Sequence, residues 1–178
     1  MLTHFRYIFE RGPKKIFKKH PLWLFSEMRN LKSNSKEADR LVNTAMNLMF
    51  EDRYEEAKEP LRKALVLEPN NENALLNLGI VLQDLGENEE AVLLLQRCIE
   101  LDSEDPDLWV FLAGSFSELN RNEEAADALE VAVRIDPNDA LTWSNYSCAL
   151  HNIGRDEEAS EAQNKAEQLQ RMYEEDVR

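Results

Sequence analysis

The chain has 178 residues, 43% hydrophobic and 31% charged, and its 5 Gly and 6 Pro are too few for the many turns of an all-β fold. The net charge of −14 is unevenly placed: residues 1–37 hold nine Lys and Arg against three Asp and Glu, and the remaining 12 basic and 32 acidic residues lie from Ala38 onward. An acidic body repels phosphate backbones, which excludes nucleic acid as its partner and favours a basic peptide.

No uninterrupted apolar run approaches the roughly 18 residues needed to span a bilayer. Cys98 and Cys148 form neither a CxxC motif nor a larger framework, which fits a reducing compartment. A cytoplasmic location is expected.

The chain opens with a basic, aromatic extension, residues 1–37. Phe5, Ile8 and Phe9 have helical spacing, and Gly12-Pro13 and His20-Pro21 break the segment. The apolar stretch Leu22-Trp23-Leu24-Phe25 is too short for a signal-peptide core of about 7–15 residues. Three readings stay open. Trp23 to Leu31 forms a short helix over the exposed edge of the region that follows; or the extension attaches peripherally to a membrane surface; or it docks into the acidic groove of its own or a neighbouring copy.

From Ala38 to Tyr173 a period of 34 governs the chain. Glu-Glu-Ala occurs at Glu55–Ala57, Glu89–Ala91, Glu123–Ala125 and Glu157–Ala159, each step being 34 residues. The units are 38–71, 72–105, 106–139 and 140–173. Unit one carries Leu41, Ala45 and Leu48 on its first helix, a turn at Asp52, and Ala57, Leu61 and Ala64 on its second. Pro60 falls inside that second helix and predicts a kink, at a cost of about 3 kcal/mol if not accommodated. Unit two repeats the pattern with Leu75, Leu78 and Leu82 at i, i+3, i+7, a turn at Gly86, then Ala91, Leu95 and Cys98. Unit three opens on Asp105-Pro106, a cap followed by a proline at the first helical position, and turns at Asn120. Unit four turns at Gly154. Its second helix, rich in Gln, Asn, Lys and Glu, is expected to run to about Asp176 as a wettable end cap.

Asp52, Gly86, Asn120 and Gly154 all tolerate left-handed backbone. Asn88, Asn122 and Asp156 are read as N-caps of the second helices, with the paired glutamates facing the positive end of the helix dipole. The small residues at the eighth, twentieth and twenty-seventh places let helices approach closely, and the large ones fill the gaps.

This arrangement resembles the tetratricopeptide repeat. Large residues stand at the fourth place (Leu41, Leu75, Trp109, Trp143) and the eleventh (Leu48, Leu82, Phe116, Leu150). Small ones stand at the eighth (Ala45, Gly79, Ala113, Ser147), and alanine fills the twentieth throughout (Ala57, Ala91, Ala125, Ala159). Leu61, Leu95 and Leu129 hold the twenty-fourth place, and Pro69 and Pro137 the terminal one. Thr44, Gln163, Ser103 and Arg171 depart from the pattern, which covers 136 of the 178 residues. The resemblance implies an all-α, right-handed superhelical solenoid of four helix-turn-helix units with a helical C-terminal cap.

It also implies a concave groove lined by the first helices, and a protein-interaction adaptor or scaffold that holds a partner's peptide there. The alternative is a peripheral membrane organiser anchored by residues 1–37. The groove-facing places hold Val42, Asn43, Met46 and Met49 in unit one, and Leu76, Asn77, Ile80 and Gln83 in unit two. Unit three supplies Asp107, Val110, Phe111 and Ser117; unit four supplies Ser144, Asn145, Cys148 and His151. Family members with an asparagine ladder at the sixth place grip a peptide backbone; here it is Asn43, Asn77 and Asn145, interrupted by Phe111. The carboxylate clamp that some members use for C-terminal tails is not matched, since only Asn77 agrees. Asp39, Asp84, Asp107 and Glu118 rim the groove, so a basic or apolar segment suits it.

Ser144, Cys148 and His151 share a helix face, but an open groove offers neither an oriented base nor an oxyanion pocket, so no enzyme is expected. His4 and His20 have no metal-ligand spacing, and no phosphate-binding glycine loop is present, so neither metal nor cofactor is expected.

Overall fold

The structure, a computed structural model, describes residues 22–176. Among them are eight α-helices and no strand: α1 (Leu22–Phe50), α2 (Tyr54–Leu67), α3 (Glu72–Asp84), α4 (Asn88–Leu101), α5 (Pro106–Glu118), α6 (Asn122–Ile135), α7 (Ala140–Asn152) and α8 (Asp156–Asp176). Each helix packs on the next in sequence, and α1 also meets α3 as α3 meets α5. Contacts confined to neighbours define a solenoid, and the chain is all-α.

The four short turns inside the helix pairs are built alike. Asp52, Gly86, Asn120 and Gly154 have φ of 57°, 78°, 57° and 76°, the left-handed conformation expected of them. The next residue's N–H then reaches back over the turn: Arg53 donates to the Leu48 carbonyl at 2.9 Å, and Glu87 to Leu82 at 2.7 Å. Arg121 does the same to Phe116 and Arg155 to Leu150, both at 2.9 Å. This is the six-to-one bond that satisfies a helix's last carbonyls.

That bond also corrects the expected caps. The residue after the left-handed turn is itself the N-cap, Glu87 for α4 and Arg121 for α6. Asn88, Asn122 and Asp156 are instead the first residues of their helices. Neither Glu87 nor Arg121 makes a side-chain cap bond. The arginine that follows the turn in units one, three and four pairs with the second glutamate: Arg53 with Glu56 at 2.7 Å, and likewise Arg121 with Glu124 and Arg155 with Glu158. The guanidinium hydrogen bond holds each of Glu56, Glu124 and Glu158 below the usual carboxylate range. Unit two has Glu87 in place of that arginine. There Glu87 accepts from Lys58 at 2.6 Å and Glu90 from Arg62 at 3.0 Å, so the ionic contacts cross from unit one to unit two.

The first helices of units two to four are capped by side chains at the last place of the preceding unit. Asn71 accepts from the Ala74 N–H at 2.9 Å, Asp105 from Asp107 at 3.0 Å, and Asp139 from Leu141 and Thr142 at 3.1 and 3.0 Å. Pro106 occupies the first turn of α5, as expected. Partial burial pushes the Asp139 carboxyl up, but the Thr142 hydroxyl and the two backbone donors outweigh it and hold the group low.

The tryptophans at the fourth place use the preceding loop. Trp109 Nε1 donates to the Ser103 carbonyl and Trp143 Nε1 to the Pro137 carbonyl, each at 3.0 Å. The loop contributes its carbonyl to this bond, so serine replaces proline at that place without losing it.

The close-packing places are buried in every unit, from Ala57 and Ala91 (both fully) to Ala159 and Ser147 at the far end. Pro60 lies inside α2 without ending it; α2 spans 14 residues, as α4 and α6 do. At the C-terminal end α8 runs to Asp176. It buries Ala159, Ala162 and Ala166, while Gln163 is exposed.

At the N-terminal end α1 is one continuous helix of 29 residues, about 43 Å long. It crosses residue 37 without a break, so the segment expected to lie over the edge of unit one instead continues that unit's own first helix. The edge itself is polar. Arg40, Thr44 and Asn47 are exposed at the third, seventh and tenth places, where unit two buries Ala74, Leu78 and Val81 against unit one. The remaining expectations for residues 1–21 lie outside the described residues.

Candidate functional site

The residues expected to line a groove on the first helices α1, α3, α5 and α7 differ in exposure. In unit one Asn43 and Met46 are exposed, and Met49 is half-buried against the core. Val42, read from the sequence as groove-facing, is 5% exposed and belongs to the core with Ala38 and Ala45. At the same fifth place in the other units, Leu76, Val110 and Ser144 are half-buried.

In unit two Asn77, Ile80 and Gln83 are all half-buried. Asn77 Nδ2 donates to its own helix at the Asn73 carbonyl, 2.7 Å away, which leaves a second N–H and the amide oxygen for a ligand. Gln83 Nε2 lies 2.7 Å from both the Phe111 carbonyl and Ser115 Oγ, and so ties α3 to α5. In unit three Asp107 is exposed and Phe111 packs half-buried on the core of the last units.

In unit four Ser144 and Asn145 are half-buried, and Cys148 and His151 exposed. Ser144 lines a cavity at the C-terminal end with Gln163 and Tyr173, whereas Asn145 and Cys148 line another between α5 and α7. His151 Nδ1 lies 2.7 Å from Asp156 Oδ1. The three side chains therefore do not assemble as nucleophile and base. No group of three or more metal-capable side chains occurs among the described residues.

The α5–α7 cavity, about 290 Å³, is lined by Val110, Ala113, Gly114, Ser117, Leu129, Asn145, Cys148, Ala149 and Asn152. Gly114, Ala149 and Asn152 were not singled out from the sequence, and Ala113 and Leu129 were read only as packing residues. The available signal was a glycine at the ninth place, in the middle of a helical pattern, where it costs about 1 kcal/mol relative to alanine. Gly79 has a packing reason, since a Cβ there would lie 3.1 Å from Leu95 Cγ. Gly114 has none of that kind: a Cβ would meet only the Gln83 amide nitrogen, at an ordinary 3.4 Å.

The cysteines differ sharply. Burial pushes the Cys98 thiol up to about 11, Glu72 and Asp105 adding to the shift and Arg97 opposing it. The thiolate is the nucleophile, so Cys98 is inert while packed. Iodoacetamide on the native protein is expected to modify Cys148 and spare Cys98, with both carboxamidomethylated in denaturant; mass spectrometry reads the difference. Equal native labelling would show that α4 opens readily.

Rim charge completes the face. Asp39, Asp84, Asp107 and Glu118 are all exposed. Among the described residues no helix is long and apolar enough to cross a membrane.

Known proteins place this architecture. No curated protein matches the chain. A solved structure of MamA superposes with a TM-score of 0.76 at 22% identity, over 83% of this chain and 86% of that one. A second MamA crystal structure gives 0.72 at 23%, over 79% and 77%. The 41-end portion of MamA from Desulfovibrio magneticus RS-1 gives 0.74 at 19%, over 96% and 93%. At these identities the likeness concerns the fold alone. The tetratricopeptide-repeat model matches residues 50–172, well over half of the chain, and the periodic Glu-Glu-Ala signature and the four left-handed turns fall in the same frame. The chain belongs to the tetratricopeptide repeat family.

Proposed function

We propose that the chain is a non-enzymatic protein-interaction module that holds an extended, basic or apolar segment of a partner along the concave face of α1, α3, α5 and α7. The observation that carries this reading is the face itself. It offers half-buried amides at Asn77 and Asn145, apolar surface at Met46, Met49 and Ile80, and an open recess between α5 and α7. Half-buried amides with unused donors and acceptors suit a peptide backbone. The exposed carboxylates Asp84, Asp107 and Glu118 favour lysine and arginine in the bound segment and discourage phosphate-bearing partners.

Immobilised full-length protein is expected to retain lysine-rich nonapeptides from a random pool. Asn77→Ala combined with Asn145→Ala is expected to lower that retention about tenfold, the equivalent of one or two lost hydrogen bonds. Unchanged retention by the double variant removes the groove from the mechanism.

A further inference from the structure

The geometry points to a specific role for the α5–α7 recess: a socket for one aliphatic side chain of a bound basic peptide, opened by the absent side chain of Gly114. This inference rests on the groove reading above. The ninth place carries Met46, Ile80 and Cys148 in the other units, exposed or half-buried side chains. Only unit three leaves it bare. Packing does not demand the glycine, because a Cβ there meets only the Gln83 amide nitrogen, at an ordinary 3.4 Å. Its backbone does not demand it either, since the residue lies inside α5 and has no positive φ.

The size and lining select the occupant. About 290 Å³ is at the lower edge of the range for pockets that take whole small molecules, roughly 300–1,000 Å³, and suits a single side chain. Ala113, Leu129 and Ala149, all buried, supply an apolar base that would strip water from a charged group without replacing its hydrogen bonds. Ser117, Asn145 and Asn152 supply polar atoms for the main chain on either side of the anchor. Glu118, beside Ser117, and Asp84, at the same place one unit earlier, are exposed carboxylates that favour lysine or arginine next to the anchor.

A positional-scanning library of nonapeptides on the immobilised full chain tests the socket. Leucine, isoleucine, valine or methionine is expected at one position, with lysine or arginine adjacent. Gly114→Leu, which fills the recess, is expected to abolish the aliphatic preference and weaken retention at least about tenfold. Gly114→Ala is expected to weaken it less while raising the Tm, because alanine is the better helix former. An aromatic or acidic preference overturns the socket, as does an unchanged profile for both Gly114 variants. Basic peptides bound without any anchor preference, yet lost in the Asn77 and Asn145 double variant, defeat the socket and leave the groove standing. No retention of any peptide defeats both.

Discussion

Leu95→Ala is expected to destabilise the protein by about 2–5 kcal/mol, read as a lower urea midpoint. Leu95 is fully buried on α4, where it packs over Gly79 of α3. It belongs to the core of the later units, whereas its neighbours Leu94 and Cys98 belong to the core of units one and two. Removing it leaves a cavity at the junction of the two clusters, which relaxes only partly. The contact with Gly79 makes the prediction sharper. In the native background Gly79→Ala is expected to destabilise, because its Cβ falls 3.1 and 3.2 Å from two Leu95 atoms. In the Leu95→Ala background the same substitution is expected to stabilise, since the obstruction is gone and alanine favours the helix. Equal effects of Gly79→Ala in the two backgrounds would show that the glycine is not there for Leu95.

The second large effect concerns the alanine at the twentieth place. Ala57, Ala91, Ala125 and Ala159 are at most 6% exposed, and they mark where the two helices of each unit cross. In unit four the crossing is visible as a hydrogen bond from Ser147 Oγ to the Ala159 carbonyl at 2.7 Å. Leucine at Ala57, Ala91 or Ala125 is expected to cost about 1–3 kcal/mol by forcing the helices apart. Ala159→Leu is expected to cost less, because α8 packs on α7 and on no later helix among the described residues. Four parallel urea titrations measure this. A cost at Ala159 equal to that at Ala91 would contradict the end-unit argument.

The exposure of the first helices was legible in part. Asn43, Asn77 and Asn145 are exposed or half-buried and Asp39, Asp84, Asp107 and Glu118 are exposed, because a 34-residue period carries each place to an equivalent position. Val42 departs from the sequence reading, being buried in the core with Ala38 and Ala45. Gln83 spends its amide on Phe111 and Ser115, which no pattern within one helix shows. The Gly114 recess needs two units to exist, so a single stretch of chain could not reveal it.

What the amino-acid order determined alone is whatever each unit demands locally. The left-handed turns at Asp52, Gly86, Asn120 and Gly154 need residues tolerant of positive φ, and close helix crossings need small side chains. Those demands recur every 34 residues and were readable as a period. Tertiary structure alone decided whatever depends on a neighbour's side: the loop carbonyls taken by Trp109 and Trp143 and the ionic contacts from unit one to unit two. The physical reason is that burial and hydrogen-bond partners are properties of the space between units, and each unit's sequence describes only its own half of that space.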